Sequence, residues 1–324
     1  MHMPRARVAP TVFHPIQTPL RYAILACAAL STLTACNRGG DATAKPTVAL
    51  VMKTLNNQFF IDMEAGARSV ADSLGFELIV QAPEREIDVE KQMQIVENLV
   101  QRQVKVIALV PSGSREIVPA IVKANAAGIP VITVDTRVDG ATLAAAKATV
   151  VTFIGSDNVD GGRIAGTFLR DQLKGTGAIA ILEGIPGHET GDARLRGFRE
   201  AIATTPALRV VASQTANWER DQAFSVTQNM LQANPTLSAI FACNDVMALG
   251  AVEAIAAAGR TASVLVVGFD AQDDARTAIR EHRMAATIAQ NPREMGRMAM
   301  FSAARVLKGE SVPAEQPVAI SLVK

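Results

Sequence analysis

The sequence is poor in the residues that mark metal proteins and disulfide-stapled scaffolds. Across 324 residues there are three Cys, four His, one Trp and one Tyr, and aromatic side chains make up only 4% of the chain. With so few His and Cys, and none clustered, a zinc site is not expected. Acidic and basic residues nearly cancel, leaving +1, so no nucleic-acid or anionic-membrane surface is implied. Beyond the first 35 residues no apolar run approaches the roughly 20 residues needed to span a bilayer.

What is present begins with an export signal. Arg5, Arg7 and Arg21 are the only charged residues before position 36, and an apolar stretch over 22–33 follows them. It closes on Leu33-Thr34-Ala35-Cys36, small residues ahead of a cysteine, which fits a bacterial lipoprotein signal over 1–35 with lipidation at Cys36. The mature chain would carry 29 basic against 31 acidic residues. Cys27 would leave with the signal, so Cys243 would stand alone and the core, not disulfides, would supply stability. The polar segment 36–46 reads as a tether. The expected location is the periplasm or cell envelope.

From residue 47 onward, short β-branched runs alternate with amphipathic segments. Strands are expected at 47–52, 77–81, 104–109, 131–135 and 150–154, then at 178–182, 209–214, 239–243, 264–269 and 285–289. Runs such as Val106-Ile107-Ala108-Leu109-Val110 are apolar on both faces, as in strands covered by helices on each side. Helices are expected between them, for example at 60–74, 89–102, 116–127, 163–173 and 223–233, with one more at 292–307 before a turn over 309–317 and a short apolar end at 318–323. Two series of about five strands predict an α/β protein of two doubly wound parallel-sheet lobes.

Polar residues then collect where open α/β sheets bind ligands, at the carboxyl ends of strands. Thr54-Leu55-Asn56-Asn57-Gln58-Phe59-Phe60 follows the first strand and offers amides beside two rings; an Asn helix cap ahead of two core Phe would read the same way. Asp135, Asn244, Asp270 and Gln290 each follow an apolar run, and Trp218 lies on a polar loop. Any one of the polar residues could be a helix cap; capping does not account for their repetition together with the lone Trp. Arg194 has a planar fork suited to adjacent hydroxyls. Catalytic patterns are weak. Ser156-Asp157 and His188 lack a nucleophile elbow, Asp273-Asp274 reads as an exposed helix start, and Gly161-Gly162 lacks the rest of a phosphate-binding fingerprint. No enzyme activity and no cofactor are expected.

With these residues in view, the chain resembles the ribose-binding type of periplasmic substrate-binding protein that serves ATP-driven sugar importers. The similarity is carried in order by 54–60, Gly128-Ile129-Pro130-Val131-Ile132-Thr133-Val134-Asp135, 155–162, Asn244-Asp245-Val246-Met247-Ala248-Leu249-Gly250, Val267-Gly268-Phe269-Asp270 and Ala286-Thr287-Ile288-Ala289-Gln290. The resemblance implies the type I periplasmic binding protein fold with a three-crossing hinge. It divides the chain into an amino-terminal lobe, 47–154 plus 291–317, and a carboxy-terminal lobe, 155–290 plus 318–324. The implied ligand residues are Asn57, Phe59, Phe60, Asp135, Arg194, Trp218, Asn244, Asp270 and Gln290, with the three rings sandwiching a sugar. Two positions depart from the pattern. Val110 stands where the family usually has Asn, and Thr136 where it usually has Arg, with Arg137 one residue later; all three are further possible ligand residues. The implied ligand is a neutral monosaccharide or polyol, delivered by a lipid-anchored monomer to an inner-membrane ABC permease. Two other readings share the fold: a subunit that presents its sugar to a membrane receptor, and a regulator-type effector domain, which would carry a DNA-binding segment where this chain has an export signal.

Overall fold

The computed structural model describes residues 9–12 and 45–324, and the expected signal over 1–35 and the lipidation site Cys36 lie outside the described residues. The described chain forms two six-stranded sheets. In the first, β1 (Thr47–Val51), β2 (Glu77–Gln81), β3 (Val106–Leu109), β4 (Val131–Val134), β5 (Phe153–Ser156) and β11 (Glu315–Val318) run in the order β11-β5-β4-β3-β1-β2, every pair parallel. In the second, β6 (Gly177–Glu183), β7 (Leu208–Thr215), β8 (Leu237–Ala242), β9 (Leu265–Asp270), β10 (Ala286–Ala289) and β12 (Ser321–Val323) run β12-β10-β9-β8-β6-β7. Only β12 is antiparallel to its neighbour. The chain passes from the first sheet to the second after β5, returns after β10, and crosses again between β11 and β12.

All ten expected strands are present. Of the two further strands, β11 carries no alternating or apolar pattern of its own, and β12 lies within the short apolar end at 318–323. Gln316 and Pro317 lie in β11, which adds to the edge of the first sheet through β5. A proline is tolerated there because one side of an edge strand needs no donor.

Each sheet is buried on both faces, which is why its central strands are uniformly apolar. One face of the first sheet packs against α1 (Gln58–Ala71) and α10 (Pro292–Leu307), with Met63, Ala67, Met295 and Met300 in the core. The other is covered by α2 (Val89–Gln101) and α3 (Val118–Ala126), burying Val96, Leu99 and Ile121. Between β4 and β5 lies the short α4 (Gly140–Ala145). Glycine lets α1 and α10 cross backbone to backbone: a Cβ on Gly66 would lie 2.0 Å from the Arg293 carbonyl oxygen, and one on Gly296 2.0 Å from that of Met63. The second sheet is wrapped by α5 (Asn158–Gln172), α6 (Glu189–Ile202), α7 (Arg220–Ala233), α8 (Asp245–Ala257) and α9 (Asp273–Arg280), around a core that includes Phe198 stacked on Phe241. Parallel strands in both sheets send their carboxyl ends, and the loops after them, toward one cleft.

Candidate functional site

Strand ends deliver the site's side chains. Beyond β1, Lys53 is buried and its ammonium lies 3.1 Å from Asp135 Oδ2, after β4. Asn57 caps α1, its Oδ1 accepting from the Phe59 backbone N–H at 3.0 Å, so the cap aims both the amide and Phe59 at the cleft. From the second sheet come Trp218 after β7, Asn244 after β8, Asp270 at the end of β9 and Gln290 after β10. Asn244 caps α8 through Oδ1, leaving its amide nitrogen for the cleft. Arg194 enters from α6. Asn57, Phe59, Asp135, Arg194, Trp218, Asn244, Asp270 and Gln290 all line one cavity, so eight of the nine residues expected from sequence meet.

Strained backbone marks the same place. Asp135, Trp218 and Asp270 have φ of 62°, 68° and 110°, values that side chains with a Cβ rarely adopt. Such conformations persist where surrounding structure holds them, and they collect at binding sites. Trp218 is wedged against backbone, since a Cβ on Gly184 would lie 2.0 Å from its ring.

Arg194 organises the second-sheet side. Its Nε donates to Asn158 Oδ1 at 2.9 Å, its Nη1 donates to the Cys243 carbonyl at 2.6 Å, and its Nη2 lies 3.6 Å from Asp270 Oδ1. The guanidinium stacks 3.7 Å above the Phe269 ring, close enough for a cation–π contact. Gln290 donates to the same Asp270 oxygen at 2.8 Å. Burial nevertheless outweighs Arg194 and raises the Asp270 carboxyl to about 7. Behind it, burial and the neighbouring Asp270 push Asp245 well above the usual carboxylate range, although Thr287 and the Gln272 N–H donate to it.

Several contacts join residues on the two sides of the cleft. Gln272 Nε2 donates to Asn57 Oδ1 at 2.9 Å, Thr136 and Thr190 hydroxyls meet at 2.9 Å, and the Glu189 N–H donates to Ser114 Oγ at 2.9 Å. His188 sets Nε2 3.3 Å from the Pro111 carbonyl, and its burial drives the imidazole pKa well below its ordinary value. With these contacts made the cavity measures about 20 Å³, little more than a water molecule needs. A larger molecule can enter only if the two sides separate.

Four expectations need correction. Phe60 does not line the cavity; it packs into the first core edge-on to Phe59, ring centroids 5.3 Å apart, and supports Lys53 from 5.6 Å. Successive residues on α1 point about 100° apart, so two neighbouring rings do not share one face. Val110 is fully buried and contributes backbone bonds to Val51 and Gln92 rather than a side chain to the cleft. The Thr136 hydroxyl is engaged by Asp135 and Thr190. Arg137 points away from the cavity, its guanidinium bidentate to Glu315 at 2.7 and 3.2 Å and stacked 3.8 Å over Phe153.

Three lining residues escaped the sequence reading: Lys53, Glu86 and Thr190. Lys53 left a signal, a charge closing an otherwise apolar strand. Glu86, which accepts from Asn57 Nδ2 at 3.1 Å, sits in the polar run 83–88 with nothing to single it out. Burial raises its pKa despite Lys53 nearby.

The family model for the periplasmic binding protein domain matches residues 48–311. The chain belongs to the periplasmic binding protein family. Among curated relatives of this binding protein, the ribose import binding protein RbsB of Escherichia coli (strain K12) is 42% identical over 284 residues, covering 87% of this chain and 92% of the relative. The D-allose-binding periplasmic protein of the same organism is 38% identical over 257 residues, covering 79% and 83%. Among solved structures, an ABC transporter periplasmic solute binding protein from Actinobacillus succinogenes 130z with bound D-allose superposes with a TM-score of 0.82 at 39% identity, covering 86% of this chain and 98% of that one. Members of this family are periplasmic sugar-binding transport proteins, not enzymes.

Proposed function

We propose that this protein is the sugar-binding component of an ABC importer, holding a neutral monosaccharide or polyol in the cleft between its sheets. The observation that carries the reading is the meeting of Asn57, Asp135, Arg194, Asn244, Asp270 and Gln290 around one cavity, with Phe59 and Trp218 beside them. Amides and a guanidinium donate, carboxylates accept, and aromatic rings cover C–H faces, which is the chemistry that recognises a hydroxylated ring. The names of its relatives, ribose and allose binders, support the same class.

In this reading residues 47–154 plus 291–317 form one lobe and 155–290 plus 318–324 the other. The ligand bridges them and favours the closed arrangement by its higher affinity for that state. A membrane permease reads the closed surface, and lipidation at Cys36 keeps the exported monomer at the membrane. The ribose-type pocket is altered here, because Val110 and Thr136 bring no donor to the cavity and Lys53 and Glu86 stand in it.

A thermal-shift screen of the mature domain against pentoses, hexoses, deoxy sugars and polyols tests the reading. A ligand at 100 times its dissociation constant adds about 2.7 kcal/mol of stability. A flat response to every sugar and polyol, with a shift from another class of solute, overturns it.

A further inference from the structure

Beside the inner cavity lies a much larger chamber of about 740 Å³, with walls from both sides of the cleft. The two spaces share Asn57, Glu86 and Trp218, so they are neighbours across one indole and one carboxylate. Trp218 is 6% exposed, its Nε1 has no hydrogen-bond partner, and it sits in a backbone conformation that must be held against strain. Farther out, Phe224 and Val246 add apolar surface, and Asn56 and Ser225 add groups that can both donate and accept. Rings next to short polar side chains repeat the composition of the inner cavity. The charge differs: Glu86, Glu219, Asp221 and Glu253 face a single cation, Arg220, which is itself bound to Glu253 at 2.6 Å.

We infer that the outer chamber is a second subsite, taking a second sugar unit attached to the ring held in the inner cavity. This extends the sugar-binding reading, and rests on it, from one ring to two. Trp218 forms the partition, contributing to both spaces, and Phe224 offers a platform for the second ring. With Glu253 paired to Arg220, the other carboxylates, Glu86, Glu219 and Asp221, accept from hydroxyls or from a protonated amine and repel an anion. The ligands selected are therefore disaccharides or glycosides whose second unit is neutral or amino-bearing, and a uronic acid in that position is rejected.

Isothermal titration of the mature chain tests this with a parent sugar chosen by the thermal-shift screen, its methyl glycoside, its disaccharide, and the disaccharide ending in a uronic acid. The disaccharide is expected to bind about tenfold or more tightly than the methyl glycoside, the gain that one added stacked ring gives. The uronic acid should lose that gain. Phe224→Ala, which touches only the outer chamber, should erase the gain while leaving the parent sugar's affinity unchanged. The subsite is refuted if the parent sugar binds and the disaccharide binds no more tightly or not at all, or if Phe224→Ala leaves the ratio intact. Binding by no sugar of any length overturns the sugar reading itself, and the subsite with it.

Discussion

Thr136, on the loop after β4, and Thr190, in the first turn of α6, bring their hydroxyl oxygens to 2.9 Å across the cleft. Thr136 also stands 3.0 Å from Asp135 Oδ2, which accepts from Lys53 as well. A carboxylate can only accept, so the Thr136 proton goes to Asp135 and the Thr190 proton goes to Thr136. The bond between the two sides therefore has a fixed direction, and it ends on a charged pair.

Thr190→Val removes the hydroxyl that, among the described residues, donates to the Thr136 oxygen, and keeps the side-chain shape. The closed arrangement should lose about 1 kcal/mol relative to the open one. Small-angle scattering of the protein without sugar should give a larger radius of gyration than wild type, and saturating ligand should restore the compact value. Equal radii would show that this bond does not hold the cleft.

Arg194 is buried, donates to two acceptors and pairs with Asp270, so it tolerates little change. Arg194→Lys keeps the charge but loses the fork that reaches Asn158, Cys243 and Asp270 together. Sugar affinity should fall by at least about tenfold, the value of one charge-assisted hydrogen bond. Circular dichroism should report an unchanged fold. Arg194→Ala leaves buried partners unpaired and should lower unfolding free energy by about 3–5 kcal/mol in urea titrations.

Asp270 gives the cleft a pH dependence. Its carboxyl, raised from 3.8 to about 7 by burial, holds its proton in the folded state at pH values where the unfolded chain has released it. Folding stability from this group therefore falls as pH rises from about 4 to 7. Binding runs the other way: sugar hydroxyls donate to the ionised form, so affinity should rise about tenfold from pH 6 to pH 8, with proton release. Calorimetry in buffers of different ionisation enthalpy reads the proton count, and Asp270→Asn should abolish both the release and the slope.

Cys243 should be chemically silent in the folded protein. It is fully buried, and burial lifts its thiol to about 12, so almost no thiolate forms near neutrality. In a chain begun after Cys36, a thiol-reactive disulfide reagent should leave Cys243 unmodified in the native state and label it once urea unfolds the protein. Rapid labelling under native conditions would contradict this packing.

Much of this architecture can be read from residue order. Apolar runs such as 106–110 announce strands covered on both sides, because only a helix on each face allows an uninterrupted apolar strand. All ten expected strands form; β11 escapes notice because edge pairing, not composition, makes it a strand, and β12 falls in the short apolar end at 318–323. The residues after strand ends form the cavity because parallel strands in a doubly wound sheet must open their carboxyl ends to the same side.

Periodicity could not say which way neighbouring side chains turn. Phe59 and Phe60 are equivalent in sequence, yet helix geometry gives the first to the cleft and the second to the core. Arg137 and Arg194 are both arginines among other charged and polar residues, and only the folded arrangement sends one to Glu315 and the other to Asp270. Glu86 has no local signature, and its place in the cleft depends on β2 lying beside β1. Residue order dictates the alternation of strands and helices, and with it the end of each sheet that binds. Tertiary structure decided the partners, since a buried polar group is defined by contacts made by residues far away in the chain, such as Asn57 with Gln272. Local pattern encodes burial and direction; long-range packing alone fixes which charge meets which.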